Sequence, residues 1–181
     1  MSADRSRIIL ITGGARSGKS SLALKPASLS PCKKAYLATG EPLDPEMLER
    51  IDKHKMQRGK DWDLLEEPIK IGNAIERLMG EYSMIVLDCL TLWVSNLLTR
   101  QNDEIAIERE YQNFMAALKL FQSTEGSRLI IVSNEVGMGI VPDNTLSRRF
   151  RDIAGTLNQR VAEIADEVYL AVSGIPLKIK G

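Results

Sequence analysis

The chain has 181 residues, of which 44% are hydrophobic, and this size suits one domain with a substantial core. Its 24 Lys and Arg residues balance its 24 Asp and Glu residues, so no net charge directs it toward nucleic acid or a membrane surface. No apolar run approaches the roughly 18 residues that span a bilayer. The polar N-terminus and only two cysteines, Cys32 and Cys89, without metal-site spacing, predict a reduced, cytoplasmic protein. We therefore expect one catalytic domain over residues 1–181.

Five apolar, β-branched runs predict β-strands and divide the chain into regular units. Each run is almost continuously apolar, which is typical of strands buried on both faces of a sheet. Helical patterns separate the runs, so the sequence predicts βαβ units and an α/β fold, with a mostly parallel sheet flanked by helices. The predicted strands cover residues 8–12, 35–39, 84–88, 129–133 and 168–173.

The first predicted strand leads into a glycine-rich segment with the spacing G-x-x-x-x-G-K-[ST]. Its backbone N–H groups and the start of the following helix favour a bound anion. Lys19 is expected to contact the β- and γ-phosphates of a nucleotide, and the Ser20 hydroxyl to ligate Mg²⁺. A turn that binds nothing is the alternative, but the strand, the spacing and the final Lys-Ser together favour a nucleoside triphosphate site. The segment is Gly13-Gly14-Ala15-Arg16-Ser17-Gly18-Lys19-Ser20.

The next two helices carry local signals that affect the site. Pro26 lies two turns into the helix after the glycine-rich segment and predicts that this helix stops or kinks near Lys25. After the second strand, Asp44 as N-cap and Pro45 at the first helical position predict the start of another helix. One face of this helix carries Met47, Ile51, His54 and Arg58.

His54 is the only histidine of the chain, which excludes a metal site built from several histidines. It lies among Lys53, Lys55 and Arg58, whose charges would attract a triphosphate and favour the neutral imidazole. A neutral imidazole in this place suits attack on a phosphorus atom. A histidine that only fills a basic helix surface is the other interpretation, and the pattern alone leaves both open.

The third predicted strand ends in Asp88, at the sheet edge where such folds bind ligands. Beside a phosphate-binding loop, this carboxylate is expected to face the Mg²⁺ of a nucleotide, directly or through water. A cap for the following helix is the alternative role. Residues 90–122 are helical in character, with a break near Asn102 and Asp103.

The fourth predicted strand leads into Ser133-Asn134-Glu135-Val136-Gly137-Met138-Gly139, a loop at the same sheet edge. Its glycines predict a tight turn or a mobile loop, and Glu135 either acts on a substrate or on a metal-bound water, or caps local structure. A helix near residues 145–165 follows, and Arg148, Arg149 and Arg151 lie off its apolar stripe on a solvated face. The stripe consists of Leu146, Phe150, Ile153, Leu157, Val161 and Ile164.

Nearly end to end, the chain resembles the bifunctional adenosylcobinamide kinase/adenosylcobinamide-phosphate guanylyltransferase family of cobalamin biosynthesis. A phosphate loop alone is shared by many families, but this combination of motifs is specific. The resemblance rests on the segment from Thr12 to Ser20, on Tyr36-Leu37-Ala38-Thr39, on Arg50, Ile51, His54, Lys55, Arg58, Trp62 and Glu66, and on the segments 134–142, 150–155, 158–160 and 172–175.

The resemblance implies a RecA-like P-loop NTPase fold and two reactions. The first phosphorylates the aminopropanol hydroxyl of adenosylcobinamide with ATP or GTP. In the second, GTP guanylylates a histidine, pyrophosphate leaves, and the GMP passes to adenosylcobinamide phosphate. By position, His54 matches the histidine that carries GMP, and Lys19 is the other catalytic residue. Besides the phosphate loop, the positions matched to the nucleotide are Ala38, Thr39, Gly40, Lys55, Met56, Gln57, Arg58, Glu66 and Asp88, with Ser20 and Asp88 on Mg²⁺.

The resemblance also implies a small-molecule corrinoid substrate and a homo-oligomer, a trimer, without nucleic acid or a membrane span. Three positions depart from the family pattern: Asp88 where some relatives carry Glu, Gly40 where relatives carry Ser, and Pro26. They bear on rate and nucleotide preference. Two other functions remain open, a small-molecule kinase that transfers only the γ-phosphate, with His54 a bystander, and a nucleotide-dependent regulatory switch.

Overall fold

The apolar runs of the sequence form the strands of one sheet. A computed structural model describes residues 5–26, 32–42, 45–59, 61–100 and 103–181, without the side chains of Glu46, Arg50, Lys53, His54, Gln57 and Arg58. The five predicted strands are confirmed to within one residue at each end, as Arg7–Gly13 (β1), Lys34–Ala38 (β2), Met84–Asp88 (β4), Arg128–Val132 (β5) and Glu167–Val172 (β6). Asp63–Glu66 (β3) and Ile175–Lys180 (β7), which the sequence analysis did not predict, complete a seven-stranded sheet.

The sheet is parallel except at one edge, as predicted. The strand order is β3-β2-β4-β5-β1-β6-β7, and β7 pairs with β6 in the antiparallel direction. The register places Glu66, Ala38, Asp88 and Val132 side by side on four neighbouring strands. Because parallel strands end at the same edge, residues that are distant in the sequence meet there and can form a site.

The helices of the described residues connect these strands and confirm the predicted boundaries. The first helix ends at Leu24, before Pro26, and the second begins at Pro45, whereas Asp44 lies outside the described residues. The predicted break is present, and Asp103 caps the helix that follows it by accepting the Ile105 N–H. Asn102 lies outside the described residues. The helices are Lys19–Leu24 (α1), Pro45–Arg58 (α2), Ile71–Leu78 (α3), Leu90–Arg100 (α4), Glu104–Gln122 (α5) and Thr145–Ile164 (α6).

The two faces of the sheet contribute to two separate hydrophobic clusters. Successive side chains of a strand point to opposite faces, and in β4 Ile85 and Leu87 join one cluster while Val86 joins the other. The first cluster is covered by α3 to α6 and contains Trp93 and Phe114, both almost completely buried. Burial on both faces explains why the strand sequences are apolar without alternation.

One residue of the predicted apolar stripe on α6 differs from the rest. Leu157 and Val161 are buried in the core, whereas Leu146 is 55% exposed at the start of the helix. The stripe therefore extends beyond the core toward the carboxyl edge of the sheet. Within the part of the chain that the structure describes, no helix is both long and apolar enough to cross a bilayer.

Candidate active site

The phosphate loop (residues 13–20) is shaped by close approaches that only glycine allows. Gly13 has φ of +148°, and a Cβ atom there would lie 2.4 Å from the Ala171 carbonyl oxygen. Gly18 precedes α1 with φ of +90°, and a Cβ atom there would lie 3.0 Å from the Cα atom of Gly174. L side chains rarely adopt either conformation. The loop is therefore fixed in shape against the end of β6 and the turn that follows it.

The turn between β6 and β7 forms one wall of the phosphate loop. The backbone N–H of Gly174 donates to the Ser17 carbonyl oxygen at 2.9 Å. On the other side, the N–H of Glu135 donates to the Gly13 carbonyl oxygen, also at 2.9 Å. Segments more than one hundred residues away thus support the loop, and the sequence analysis did not assign this role to the β6–β7 turn.

Lys19 is buried inside the phosphate loop, where its ammonium group is held by backbone oxygens. Its Nζ atom donates to the Gly13 carbonyl oxygen at 2.9 Å and to the Gly14 carbonyl oxygen at 2.6 Å. Burial lowers the pKa of Lys19, and the nearby Cys89 and Asp88 oppose this shift. The ammonium group lies at the centre of the anion-binding loop, where a bound phosphate would replace the carbonyl oxygens as its partner.

Asp88 lies at the end of β4, across from the phosphate loop. The hydroxyl of Tyr36, on the neighbouring strand, donates to Asp88 Oδ2 at 2.5 Å and orients the carboxylate. The Tyr36 ring packs edge-on against Trp62, with 6.1 Å between the ring centroids. Asp88 and the Ser20 hydroxyl supply two hard oxygen donors to one cavity, which fits Mg²⁺ because this ion keeps several waters and phosphate oxygens as its other ligands. Tyr36 was not among the predicted site residues.

A cavity of about 740 Å³, here called the main cavity, opens at this carboxyl edge of the sheet. Pockets that bind small molecules have volumes of about 300–1,000 Å³. Ten predicted site residues line it: Arg16, Ser17, Gly18, Lys19, Ser20, Ala38, Gly40, Lys55, Glu66 and Asp88. The sequence analysis missed other lining residues, among them Tyr36, Thr91, Asn134 and Phe150.

Helix α2 forms the outer wall of the main cavity. Its residues Met47, Ile51 and Lys55 line the cavity. The Lys55 Nζ atom lies 3.7 Å from Glu66 Oε1, an ion pair that links the helix to β3. His54 belongs to this helix, but its side chain lies outside the described part of the structure, as do the side chains of Gln57 and Arg58.

Some predicted nucleotide contacts do not line the main cavity. Met56, on α2, is 77% exposed. Thr39 is completely buried, and its hydroxyl accepts the Cys89 N–H and donates to the Cys89 carbonyl oxygen, both at 2.8 Å. Thr39 therefore joins the ends of β2 and β4. Gly13, Gly14 and Ala15 are not in the lining either and form the bend of the phosphate loop.

A polar network forms part of the wall of the main cavity. The Asn134 side-chain amide donates to the Thr91 hydroxyl oxygen at 2.9 Å, and the Asn158 amide donates to the Asn134 carbonyl oxygen at 3.1 Å. The Cys89 thiol lies 3.2 Å from the same Thr91 hydroxyl, and burial raises the pKa of Cys89 to about 11. The network joins α4, α6 and the end of β5, and its hydrogen bond from Thr91 opposes the effect of burial on the Cys89 pKa.

The structure also places Glu135, whose role was open, and two of the arginines that were predicted on a solvated face. Glu135 Oε1 accepts the Gly137 N–H at 2.7 Å and so caps a local turn. Arg148 donates to the carbonyl oxygens of Pro142 and Asp143. Arg149 pairs with Glu104 at 2.8 Å. These side chains have structural partners, and none of the three lines the main cavity.

The fold and the main cavity define a P-loop nucleotide-binding protein. A crystal structure of the RadB recombinase is similar, with a TM-score of 0.54 at 15% sequence identity over 93% of this chain and 75% of that chain. At this identity the likeness shows the fold alone, and it confirms the predicted RecA-like P-loop fold.

Sequence comparison gives the family. A family model described as cobinamide kinase / cobinamide phosphate guanyltransferase matches residues 9–179. The bifunctional adenosylcobalamin biosynthesis protein CobU of Salmonella typhimurium is 43% identical, over 96% of this chain and 99% of the relative. CobP of Pseudomonas aeruginosa, which is also described as a bifunctional adenosylcobalamin biosynthesis protein, is 41% identical over 95% of this chain and 96% of the relative. CobU of Escherichia coli is 40% identical over 96% and 99%. The chain therefore belongs to the cobinamide kinase / cobinamide phosphate guanyltransferase family of enzymes, which confirms the predicted family.

Proposed function

We propose that this chain catalyses both reactions of its family in the main cavity: it phosphorylates adenosylcobinamide with ATP or GTP, and it then transfers GMP from GTP to adenosylcobinamide phosphate. The observation that carries the proposal is that the phosphate loop, the Asp88 carboxylate and helix α2 all border one cavity. One bound nucleotide can thus present its phosphates to the loop and its α-phosphorus to the helix that carries His54.

The phosphate loop would serve both reactions. Lys19 and the backbone N–H groups of the loop stabilise negative charge on phosphate oxygens, which grows as a phosphoryl group or pyrophosphate departs. Burial lowers the pKa of Lys19, and the Asp88 carboxylate opposes this shift and so favours the cationic form. Ser20 and Asp88 would hold Mg²⁺, which neutralises charge on the phosphates when it is bound. Tyr36 keeps the Asp88 carboxylate oriented.

Helix α2 would supply the nucleophile of the second reaction. Position 54 comes three residues after Ile51 and seven after Met47, both cavity residues, and such positions share one face of an α-helix. The imidazole nitrogen of His54 attacks the α-phosphorus of GTP, and the bond to the pyrophosphate oxygen breaks. A phosphate oxygen of adenosylcobinamide phosphate then attacks the same phosphorus, and the P–N bond breaks. The intermediate divides one difficult transfer into two easier steps.

Two matched pairs of variants test this division of labour. His54→Ala should abolish GMP transfer and keep much of the kinase activity, whereas Asp52→Asn, an exposed change on the same helix, should leave both intact. Lys19→Ala should cripple both reactions, and the exposed Lys119→Ala should affect neither. The γ-phosphate and GMP transfers are measured separately. Equal loss of both in His54→Ala would contradict the separate role of the histidine, and full retention of either in Lys19→Ala would contradict the shared phosphate loop.

We also propose a single catalytic domain, a homotrimer and a cytoplasmic location. The single domain is supported by the one sheet that holds all seven strands. The trimer follows from the family resemblance, and exposed apolar residues such as Ile105 and Leu120 on α5 offer a contact surface. Sedimentation equilibrium tests the trimer. Two free cysteines, Cys32 and Cys89, support a reducing compartment. Fractionation of the source cells tests the location.

A further inference from the structure

A second, smaller cavity of about 200 Å³, here called the side cavity, lies beside the main cavity. The two share the lining residues Ser95 and Phe150, so they adjoin each other. The side cavity lies between α4 and the start of α6. Its lining consists of Ser95, Leu98, Thr99, Leu146, Ser147 and Phe150.

The side cavity combines apolar walls with a few hydroxyl groups, which is typical of a site for a small organic group. Leu98, Leu146 and Phe150 provide the apolar walls, and Ser95 and Ser147 provide hydroxyls. None of the described residues that line it is charged, in contrast to the main cavity with its lysines and carboxylates. The chemistry of the side cavity therefore suits an uncharged, amphipathic group rather than a triphosphate.

The loop that leads into α6 also carries exposed apolar side chains. The loop before α6 exposes Met138, Ile140 and Val141, at 82%, 97% and 58% of their surfaces. Val136 of the same loop lines the main cavity. Arg148 holds the end of this loop against α6 through the Pro142 carbonyl oxygen, at 3.0 Å. We call Met138, Ile140 and Val141 the apolar strip; along the chain they lie between Val136, which lines the main cavity, and Leu146, which lines the side cavity.

We propose that the side cavity and this strip form the acceptor subsite, which binds cobinamide. The proposal rests on the function proposed above. The volume is too small for a corrin macrocycle but suits its slender aminopropanol arm, whose hydroxyl would enter the main cavity past Ser95 and Phe150. The macrocycle stays outside, against the exposed apolar loop. This arrangement places an uncharged alcohol beside the γ-phosphate while the nucleotide remains bound to the phosphate loop.

Two variants change the side cavity without touching the main cavity. Leu146→Asp places a charge on its apolar wall, and Thr99→Trp fills it with bulk. Both positions are exposed, so the fold should tolerate the changes. Leu146→Met conserves the wall, and Ile179→Asp adds the same charge at a residue on β7 that is 57% exposed and lines neither cavity.

The readouts are the KM of cobinamide in the kinase reaction at saturating nucleotide, and the Kd values of cobinamide and GTP by equilibrium dialysis. Loss of an apolar contact the size of one methylene weakens discrimination by roughly 10–200-fold. We expect the cobinamide KM and Kd to rise at least about 10-fold in Leu146→Asp and Thr99→Trp. The Kd of GTP should be unchanged, and both controls should match the wild type.

Each other outcome has a definite meaning. Wild-type cobinamide KM and Kd in both variants would overturn the acceptor subsite and leave the proposed function standing. A shift in oligomeric state with unchanged cobinamide binding would overturn it too, since a second copy of the chain would then cover this surface. Failure of the wild-type protein to bind or phosphorylate cobinamide would overturn the proposed function itself, and the subsite with it.

Discussion

Replacing Gly13 with alanine should damage both the stability of the protein and its phosphate loop. Gly13 is the last residue of β1, and its φ of +148° is one that L residues rarely adopt. A Cβ atom would also lie 2.4 Å from the Ala171 carbonyl oxygen and 2.9 Å from Ser17 Oγ. The Ser17 side chain can rotate away, but the Ala171 oxygen is part of the backbone of β6 and cannot move without disturbing the sheet.

The size of the effect follows from two contributions. A non-glycine residue held in a sparsely populated backbone conformation costs about 1–3 kcal/mol. Forcing extra volume into a well-packed site costs about 1–3 kcal/mol more. The sum of roughly 2–6 kcal/mol is a large part of the 5–15 kcal/mol that stabilises a typical domain. Because the strain falls on the phosphate loop itself, nucleotide affinity should fall with stability.

Gly14→Ala is the matched control, one residue further along the chain. Nothing lies within 4 Å of a Cβ atom at Gly14, and the position is exposed. The free energy of unfolding of this variant should lie within about 0.5 kcal/mol of the wild-type value. Urea denaturation followed by circular dichroism gives both free energies of unfolding, and titration with GTP gives both affinities. A Gly13→Ala protein as stable as Gly14→Ala, with wild-type GTP affinity, would refute this reasoning.

Two further predictions concern Gly72 in the core and Cys89 in the wall of the main cavity. Gly72→Ala should destabilise the protein by about 1–3 kcal/mol, because its Cβ atom would lie 2.8 Å from the Asn113 backbone in α5. At Gly155 an added Cβ atom would have nothing within 4 Å, so Gly155→Ala should be neutral or stabilise α6 by up to about 1 kcal/mol. Equal midpoints of urea denaturation for Gly72→Ala and Gly155→Ala would contradict this prediction. Burial raises the pKa of Cys89 to about 11 from its ordinary value of 9.0, so the unfolded state loses this proton first as the pH rises. The free energy of unfolding should therefore fall between pH 9 and pH 11, by at most about 1.4 kcal/mol per pH unit. Cys89→Ala should lose this part of the pH dependence, and an unchanged profile would show that the thiol is not buried as described.

Most of the fold could be predicted because burial on both faces leaves a continuous apolar run in each central strand. The two strands that were missed lack this signal. In β3, only Leu65 is even partly buried, and the strand has four residues. In β7 every residue is exposed, and Pro176 is tolerated because the strand lies at the edge of the sheet. Edge strands are defined by pairing with a neighbour, which the local sequence does not record.

The part of the candidate site that could be predicted is the part with a local sequence signal. The phosphate loop and Asp88 carry local signals, namely the glycine spacing and a carboxylate at a strand end. The Tyr36 hydrogen bond to Asp88 joins residues 52 positions apart, and the contact of Gly174 with Ser17 spans an even longer interval. Such contacts depend on strand order, which the local pattern does not give. Leu146 continued an apolar stripe, yet only the packing of α6 could show that it leaves the core.

The most direct test of the central claim is covalent labelling of the protein by GTP. The purified protein is incubated with Mg²⁺ and GTP labelled at the α-phosphate, then denatured and examined for bound label. The proposed mechanism predicts label that is acid-labile and stable to base, and that is absent from His54→Ala. Absence of label from the wild-type protein, under conditions where it still transfers the γ-phosphate to cobinamide, would contradict the histidine intermediate and reduce the enzyme to a kinase.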